Sequence, residues 1–162
     1  MLYKRYAPVM LTVCMRYADN QEEAEDILSK GFITTLKEMS EFNMQDSLEE
    51  WIRNIMVTQS LERLRKKVRM FPIISINNTR DKLTYEDEIF SPLTPEELLK
   101  MIQELPPIHK MIFNLQVFEG MRHKTIASKI GISEENSRRY LSEAKALLRK
   151  RIYNDTIKLQ KV

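Results

Sequence analysis

The chain has 162 residues, enough for one domain or two small ones, and 43% of them are hydrophobic, which excludes an intrinsically disordered protein. Only 3 residues are glycine, and Leu, Met, Glu, Lys and Arg dominate, so helix is favoured throughout. The net charge of +3 is small, the single cysteine excludes an internal disulfide, and no apolar stretch is long enough to span a membrane. We therefore predict a cytoplasmic protein without membrane insertion.

The amino-terminal part is predicted to contain three helices. Apolar residues recur at helical spacing over Leu2–Tyr17, over Ala24–Met39 with Leu36 on the buried stripe, and over Leu48–Val68. Pro8 is expected to kink or delay the first helix. Residues 41–47 predict a loop that ends in a helix cap at Asp46 or Ser47.

Helical periodicity is lost between Met70 and Leu93, where turn formers, acidic residues and a proline follow one another. We interpret residues 70–93 as a linker. The sequence then predicts an all-α protein of two small helical domains, 1–69 and 94–162, joined by this linker.

The carboxy-terminal part begins with a clear helix start, in which Thr94 is the cap, Pro95 the first helical residue and Glu97 the partner of the cap. Further stops are predicted at two prolines and two glycines, Pro106, Pro107, Gly120 and Gly131. Ser133 then caps the last helix. Its core side is predicted to carry the apolar residues Tyr140, Leu141, Ala144, Leu147, Leu148 and Ile152.

Residues 126–141, IASKIGISEENSRRYL, have the order of a helix-turn-helix: a short helix, the turn at Gly131, the cap at Ser133 and a longer helix. The exposed side of the second helix is predicted to offer side chains able to read base edges, namely Asn136, Arg138, Arg139, Ser142 and Glu143. Flanking basic residues are predicted to hold phosphates, namely Arg122, Lys124, Lys145 and Arg149. This pattern predicts DNA binding.

Two basic segments, 63–69 and 138–151, suit a polyanion held at two places, although solvated helix ends would have the same composition. Trp51 could stack on an unpaired base, but its apolar neighbours favour a core position. His109, His123 and Cys14 lack metal-ligand spacing, and neither a nucleophile triad nor a phosphate loop is present in the sequence. We expect no metal, no cofactor, no small-molecule substrate and no enzymatic activity.

The chain resembles a bacterial extracytoplasmic-function sigma factor over nearly its full length. Residues 93–152, from LTPEELLK to ALLRKRI, resemble sigma region 4. The segments NQEEAEDILSKGF (20–32) and WIRNIMVTQSLERLRKK (51–67) resemble two parts of region 2. This chain departs from the family pattern at Ser29, Thr58, Glu62, Ser137 and Glu143, and Ser137 stands where a buried aliphatic residue is typical.

The resemblance implies roles for residues of the amino-terminal part. The helix carrying Glu22, Glu25, Asp26 and Ile27 would bind the clamp of core RNA polymerase. The loop of Asn43, Met44, Gln45, Asp46 and Ser47 would hold a flipped base of the minus-ten promoter element, and Thr58, Gln59, Glu62 and Arg65 would border the melted strand. The last helix would enter the major groove at the minus-thirty-five element.

The sequence thus predicts a sigma factor that binds core RNA polymerase and directs promoter recognition and melting, with promoter DNA and an anti-sigma factor as further partners. Two alternatives remain open at this point. One is a helix-turn-helix regulator that binds duplex DNA without polymerase, and the other is a diverged sigma-like protein that binds a partner but no promoter.

Overall fold

The computed structural model describes residues 1–70 and 93–161, and these ranges contain α-helices, one short 3₁₀ turn and one π-helical turn, but no strand. The chain divides into two compact units, Met1–Lys67 and Val68–Val162, which we call unit 1 and unit 2. The predicted all-α fold with two helical domains is confirmed. The predicted linker lies outside the described residues except for its ends, Met70 and Leu93. No helix in the described ranges is both long and apolar enough to cross a membrane.

Unit 1 consists of three long helices. They are α1 (Leu2–Tyr17), α2 (Gln21–Lys37) and α3 (Leu48–Met70), with a 3₁₀ turn at Met39–Glu41 between the last two. Asn20 starts α2 by accepting the amide N–H of Glu23 at 2.9 Å, so that α1 and α2 follow each other as a hairpin. Pro8 lies inside α1, which already begins at Leu2, and it therefore does not delay the helix as the sequence suggested.

The core of unit 1 is built from residues of all three helices, including Met10, Cys14, Tyr17, Ala24, Phe32, Ile52, Met56 and Leu64. Gly31 of α2 faces Met56 of α3 so closely that a β-carbon at position 31 would overlap the Met56 sulfur. The absence of a side chain at Gly31 is therefore what allows α2 and α3 to approach at this point.

The predicted buried stripe of α2 is wrong at Leu36, which is 66% exposed, and Ile33 is exposed as well. The buried position of the last turn is instead Thr35, whose hydroxyl is satisfied by donating to the carbonyl of Gly31 at 2.8 Å. The core face of α2 passes through Leu28, Gly31 and Thr35. A glycine and a threonine are not counted in a pattern of apolar residues. The predicted buried stripe was therefore assigned to the neighbouring face of the helix.

Within residues 93–161, unit 2 has four helices, with a π-helical turn at Asn114–Phe118 after the second. They are α4 (Pro95–Gln103), α5 (Pro107–Phe113), α6 (His123–Ile130) and α7 (Glu134–Gln160). The predicted start of α4 is confirmed, because Thr94 accepts the Glu97 amide at 3.2 Å while the Glu97 carboxylate accepts the Thr94 amide at 2.8 Å. α7 packs on both α5 and α6, around a core that includes Ile112, Leu115, Ile126, Ala144 and Leu148.

Candidate nucleic-acid interface

The corner between α6 and α7 is set by Gly131. This residue has φ 75° and ψ 40°, in the left-handed region, where residues with a β-carbon are strained. The carbonyl of Ala127 accepts the amides of Gly131 and Ile132 at 2.9 and 3.1 Å, which ends α6. One residue later, the Ser133 hydroxyl accepts the Asn136 amide at 3.0 Å and starts α7. The predicted helix-turn-helix is confirmed.

A polar contact joins the two helices of this motif. His123 Nδ1 of α6 lies 2.8 Å from the Ser137 hydroxyl of α7, and Ser137 is fully buried. Burial and then the charge of Arg138 lower the pKa of His123, with Lys145 acting in the same direction and Glu134 opposing. His123 is thereby favoured in its neutral form. The buried hydroxyl of Ser137 is thus satisfied by His123.

The exposed face of α7 carries two neighbouring arginines. Arg138 is 62% exposed and forms an ion pair with Glu134, one turn earlier. Arg139 is 52% exposed, and its guanidinium carbon lies 5.0 Å from the centre of the Tyr140 ring. Ser142 is exposed and Asn136 is half-buried. Both guanidinium groups are therefore presented to solvent on a helix of the right kind for a major groove.

Glu143 does not lie on this exposed face, contrary to the sequence prediction. Its side chain is only 13% exposed, and Oε2 lies 2.8 Å from Nε2 of the buried His109 on α5. The sequence prediction failed because His109 is far away in the chain and its position opposite α7 is a property of the packing. The imidazole draws the carboxylate toward the core, because a half-buried carboxylate needs a donor.

The predicted phosphate-binding residues flank this face. Arg122 and Lys124, at the start of α6, are exposed, and the first turn of that helix contains no acidic residue. Lys145 and Arg149 of α7 are half-buried, with long side chains that can reach outward along the helix. Positive charge thus lies on both sides of the two arginines.

In unit 1, the loop between the 3₁₀ turn and α3 is exposed at all five predicted base-capturing residues, Asn43, Met44, Gln45, Asp46 and Ser47. The side chain of Asn43 accepts the amide of Gln45 at 3.2 Å, which gives the loop a defined turn. Of the two predicted caps it is Ser47 that accepts an amide of α3, that of Glu50 at 3.3 Å. Trp51 packs on Phe42 with ring centres 5.3 Å apart and is half-buried.

The four predicted strand-bordering residues of α3 do not share one environment. Thr58 and Glu62 are exposed, and the Thr58 hydroxyl donates to the carbonyl of Asn54 within the helix. Gln59 is half-buried beside Thr34 of α2, and Arg65 is half-buried. The exposed pair Thr58 and Glu62, one turn apart, is the part of this set that faces solvent most openly.

The basic residues at the end of α3 point in different directions around the helix, and two of them face α2. Arg63 donates to Glu23 at 2.9 Å and to Asp26 at 2.8 Å, and Lys67 lies 2.6 Å from Glu23. Burial would raise the pKa of Glu23, but hydrogen bonds from Lys67, the Asp19 amide and Arg63 outweigh it and hold that pKa below its ordinary value. These two cations therefore bind α2 to α3. Of the two roles that the sequence left open for this basic segment, these contacts favour a structural one for Arg63 and Lys67.

The predicted polymerase-binding residues of α2 fall into two groups. Glu22 and Glu25 are exposed, whereas Asp26 pairs with Lys30 and Arg63. Ile27 is 2% exposed and belongs to the core, so the prediction that it contacts a partner is wrong. The reason is helical phase: Ile27 points away from the side that carries Glu22 and Glu25.

Sequence reasoning missed the apolar half of this exposed side. Ile33 and Leu36 lie at helical spacing from Glu22 and Glu25, so that one side of α2 is acidic at its start and apolar at its end. Beside it, a cleft of about 500 Å³ lies between α1 and α2, lined by Tyr3, Ala7, Pro8, Leu11, Glu25, Leu28 and Ser29. The signal available in the sequence was Ile33, which fell outside the predicted stripe.

Residues 1–70 and 93–161 contain no group of three His, Cys, Asp or Glu side chains that could hold a metal ion. Burial raises the pKa of the Cys14 thiol to about 12, so that it stays protonated at neutral pH and is a poor nucleophile.

Comparison with known proteins gives a consistent result. The family models for sigma-70 region 2 and sigma-70 region 4 match residues 2–70 and 95–148. RNA polymerase sigma factor CarQ of Myxococcus xanthus is 24% identical over 132 residues, which are 82% of this chain and 76% of CarQ. The sigma factor RpoE of Bartonella quintana, solved in complex with the anti-sigma factor NepR, has a similar fold. The TM-score is 0.55 at 16% identity, covering 91% of this chain and 92% of RpoE.

The two family models together span most of the chain, in the order region 2 and then region 4. The chain belongs to the sigma-70 family and is an extracytoplasmic-function sigma factor. It therefore acts in the initiation of transcription, and its partners are core RNA polymerase and promoter DNA.

Proposed function

We propose that this sigma factor recognises its promoter with two separate surfaces: the exposed face of α7 reads the minus-thirty-five element, and the loop 43–47 with Thr58 and Glu62 holds the melted minus-ten strand. The observation that carries the proposal is the exposure of Arg138 and Arg139 on α7. Ser137, which directly precedes them on the same helix, is fully buried against α6. An arginine can make two hydrogen bonds to a guanine edge in the major groove.

The acidic and apolar side of α2 is proposed as the surface for core RNA polymerase. Glu22 and Glu25 supply charge for orientation, while Ile33 and Leu36 supply apolar area that would leave water on binding. Residues 70–93 are proposed as the linker that joins the two recognition units. The protein would act in the cytoplasm, purely by binding and without enzymatic activity of its own.

An anti-sigma factor is proposed as a further partner. Support comes from the similarly folded RpoE of Bartonella quintana, which was solved with the anti-sigma factor NepR. Its binding would be expected to cover the same side of α2 that core RNA polymerase needs, since an apolar exposed strip favours burial by any complementary partner.

Reconstituted transcription tests the proposal. The full chain is assembled with bacterial core RNA polymerase and supplied with genomic fragments, and the transcript starts are mapped. We expect starts at a common pair of upstream elements, and we expect Leu36→Glu to reduce assembly with core while the variant stays folded. Transcription that shows no common elements would overturn the promoter-reading proposal.

A further inference from the structure

Four side chains of unit 2 form a closed ring of contacts that includes Arg139 on the exposed face of α7. His109 Nε2 lies 2.8 Å from Glu143 Oε2, and Glu143 Oε1 lies 3.9 Å from Arg139 Nε. The guanidinium of Arg139 lies over Tyr140, and the edge of Tyr140 meets the His109 ring at 5.4 Å and 86°. The ring thus connects the core at α5 with an exposed arginine on α7.

The direction of the hydrogen bond in this ring is determined by its chemistry. A carboxylate only accepts, so Nε2 of His109 carries the proton and donates to Glu143. The other ring nitrogen, Nδ1, is buried without a hydrogen-bond partner among the described residues. Glu143 is therefore the side chain that satisfies His109, and the two hold each other in place.

Glu143 is poorly placed to read a base itself. Its side chain is 13% exposed and one oxygen is already engaged by His109. The second oxygen points along α7 toward Arg139, one turn earlier on the helix. A carboxylate fixed from inside the domain is a suitable device for orienting a guanidinium, because less side-chain freedom is then lost when the arginine meets DNA.

We propose that Glu143 is a positioning residue, held by His109, which together with Tyr140 aims Arg139 at the base edge, and that Glu143 contacts no base. This inference rests on the proposed reading of promoter DNA by α7 and deepens it. Arg138 gives a built-in comparison, because it lies next to Arg139 on the same helix but pairs with Glu134.

The test is a double-mutant cycle on promoter binding. The full chain with bacterial core RNA polymerase first selects a duplex from a randomised pool, and that duplex is the probe. Arg139→Ala is expected to weaken binding about tenfold, within the range for a base-edge contact. His109→Ala, which alters a buried residue that cannot touch DNA, is expected to weaken binding about threefold to fivefold, the size of a coupling between neighbouring groups.

The decisive readout is the dependence on background. The loss caused by His109→Ala should vanish when Arg139 is already alanine, and it should persist in full when Arg138 is alanine instead. His109→Gln, which keeps an N–H donor for Glu143, should restore most of the binding. Affinity for a scrambled duplex should not change in any of these His109 variants, since the fold and the phosphate contacts remain.

The outcomes separate the inference from the proposed function. Equal losses from His109→Ala in the wild-type and Arg139→Ala backgrounds would overturn the positioning role, and so would a His109→Gln variant as weak as His109→Ala. A wild-type complex that selects no duplex sequence would overturn the proposed function itself. If His109→Ala fails to fold, Glu143→Gln and Glu143→Ala are measured in the same two backgrounds instead. Losses of binding that vanish when Arg139 is alanine support the positioning role, and equal losses in both backgrounds overturn it.

Discussion

The two basic segments of the chain look alike in sequence, but two cations at the end of α3 and the paired arginines of α7 differ in what they contact. At the end of α3, Arg63 and Lys67 are both bound by Glu23 of α2, and Asp26 of the same helix also binds the arginine. On α7, Arg138 and Arg139 face solvent, and their acidic partners lie one turn away on the same helix. A basic residue is structural when an acidic side chain of another helix lies opposite it. It is available to DNA when no other helix covers it.

The largest expected effect comes from removing the acid that neutralises the α3 segment. Glu23→Ala leaves Arg63 and Lys67 without their shared partner and removes an acceptor of the Asp19 amide at 2.7 Å. We expect the free energy of unfolding of unit 1 to fall by about 2–3 kcal/mol, below the full cost of breaking a buried pair because Arg63 is partly exposed. The measurement is urea unfolding followed by the fluorescence of Trp51, the only tryptophan.

Glu22→Ala is the matched control for that variant. Glu22 is adjacent, carries the same charge and is exposed, so its removal should change the free energy of unfolding by less than about 0.5 kcal/mol. Equal effects of the two variants would mean that Glu23 acts only through net charge and not through its contacts with α3.

The next effect concerns DNA. Arg139→Ala should weaken binding of the selected promoter duplex by about 1–3 kcal/mol, because a base-edge contact is lost. Arg63→Ala removes the same charge from the molecule but a residue that is already paired, and it should change the affinity by less than about 0.5 kcal/mol. Footprint titration on the same duplex measures both. If the two arginines prove equally important, the division between structural and DNA-binding charges does not hold.

The glycines give a second contrast between the units. Gly31→Ala should destabilise unit 1 by about 1–2 kcal/mol, since the new methyl group overlaps Met56 and a gain in helix propensity offsets only part of that cost. Gly131→Ala should cost unit 2 about 1 kcal/mol for a different reason, its positive φ, because nothing lies within 4 Å of the new methyl group.

A second substitution distinguishes these two reasons. Met56→Ala makes room beside position 31, so that Gly31→Ala with Met56→Ala should be more stable than the sum of the single effects predicts. Simple additivity, measured by urea unfolding, would show that Gly31 is not a packing residue.

The smallest expected effect is a loss of stability as the pH falls, which should begin at a different pH in each unit. The pKa of His123 is lowered from its ordinary 6.5, so unit 2 keeps this stabilisation above pH 6.5 and loses it as the pH falls below 6.5 toward the lowered pKa, at which the folded imidazole binds a proton. The pKa of Glu23 is lowered from 4.5, so unit 1 loses its contribution only as the pH falls below about 4.5.

Amide exchange in α6 and α7, compared with Trp51 fluorescence for unit 1, measures the two transitions separately. We expect α6 and α7 to lose protection first as the pH falls from 7. His123→Gln keeps a polar partner for Ser137 but cannot gain a proton in this range, and it should remove the early loss. An unchanged loss in that variant would assign the transition to another group.

Local chemistry allowed the elements of this fold to be predicted from the sequence. Thr94 and Glu97 form a capping box, Gly131 adopts the left-handed conformation, and Ser133 caps α7, each within a few residues of chain. Such signals depend on backbone groups that are near in sequence, so they hold wherever the helix is placed. The prediction of the helix-turn-helix followed from them.

The partners of individual side chains were decided by the tertiary structure. Thr35 is buried while Leu36 is exposed, Arg63 is bound by Glu23 across 40 positions, and Glu143 is drawn inward by His109 across 34. Periodicity specifies the apolar face of a helix only to within about one residue, and it carries no information about which distant side chain lies opposite. Charge and burial at a given position depend on that opposite neighbour, because ion pairs and hydrogen bonds act over a few ångströms of space rather than over a distance along the chain.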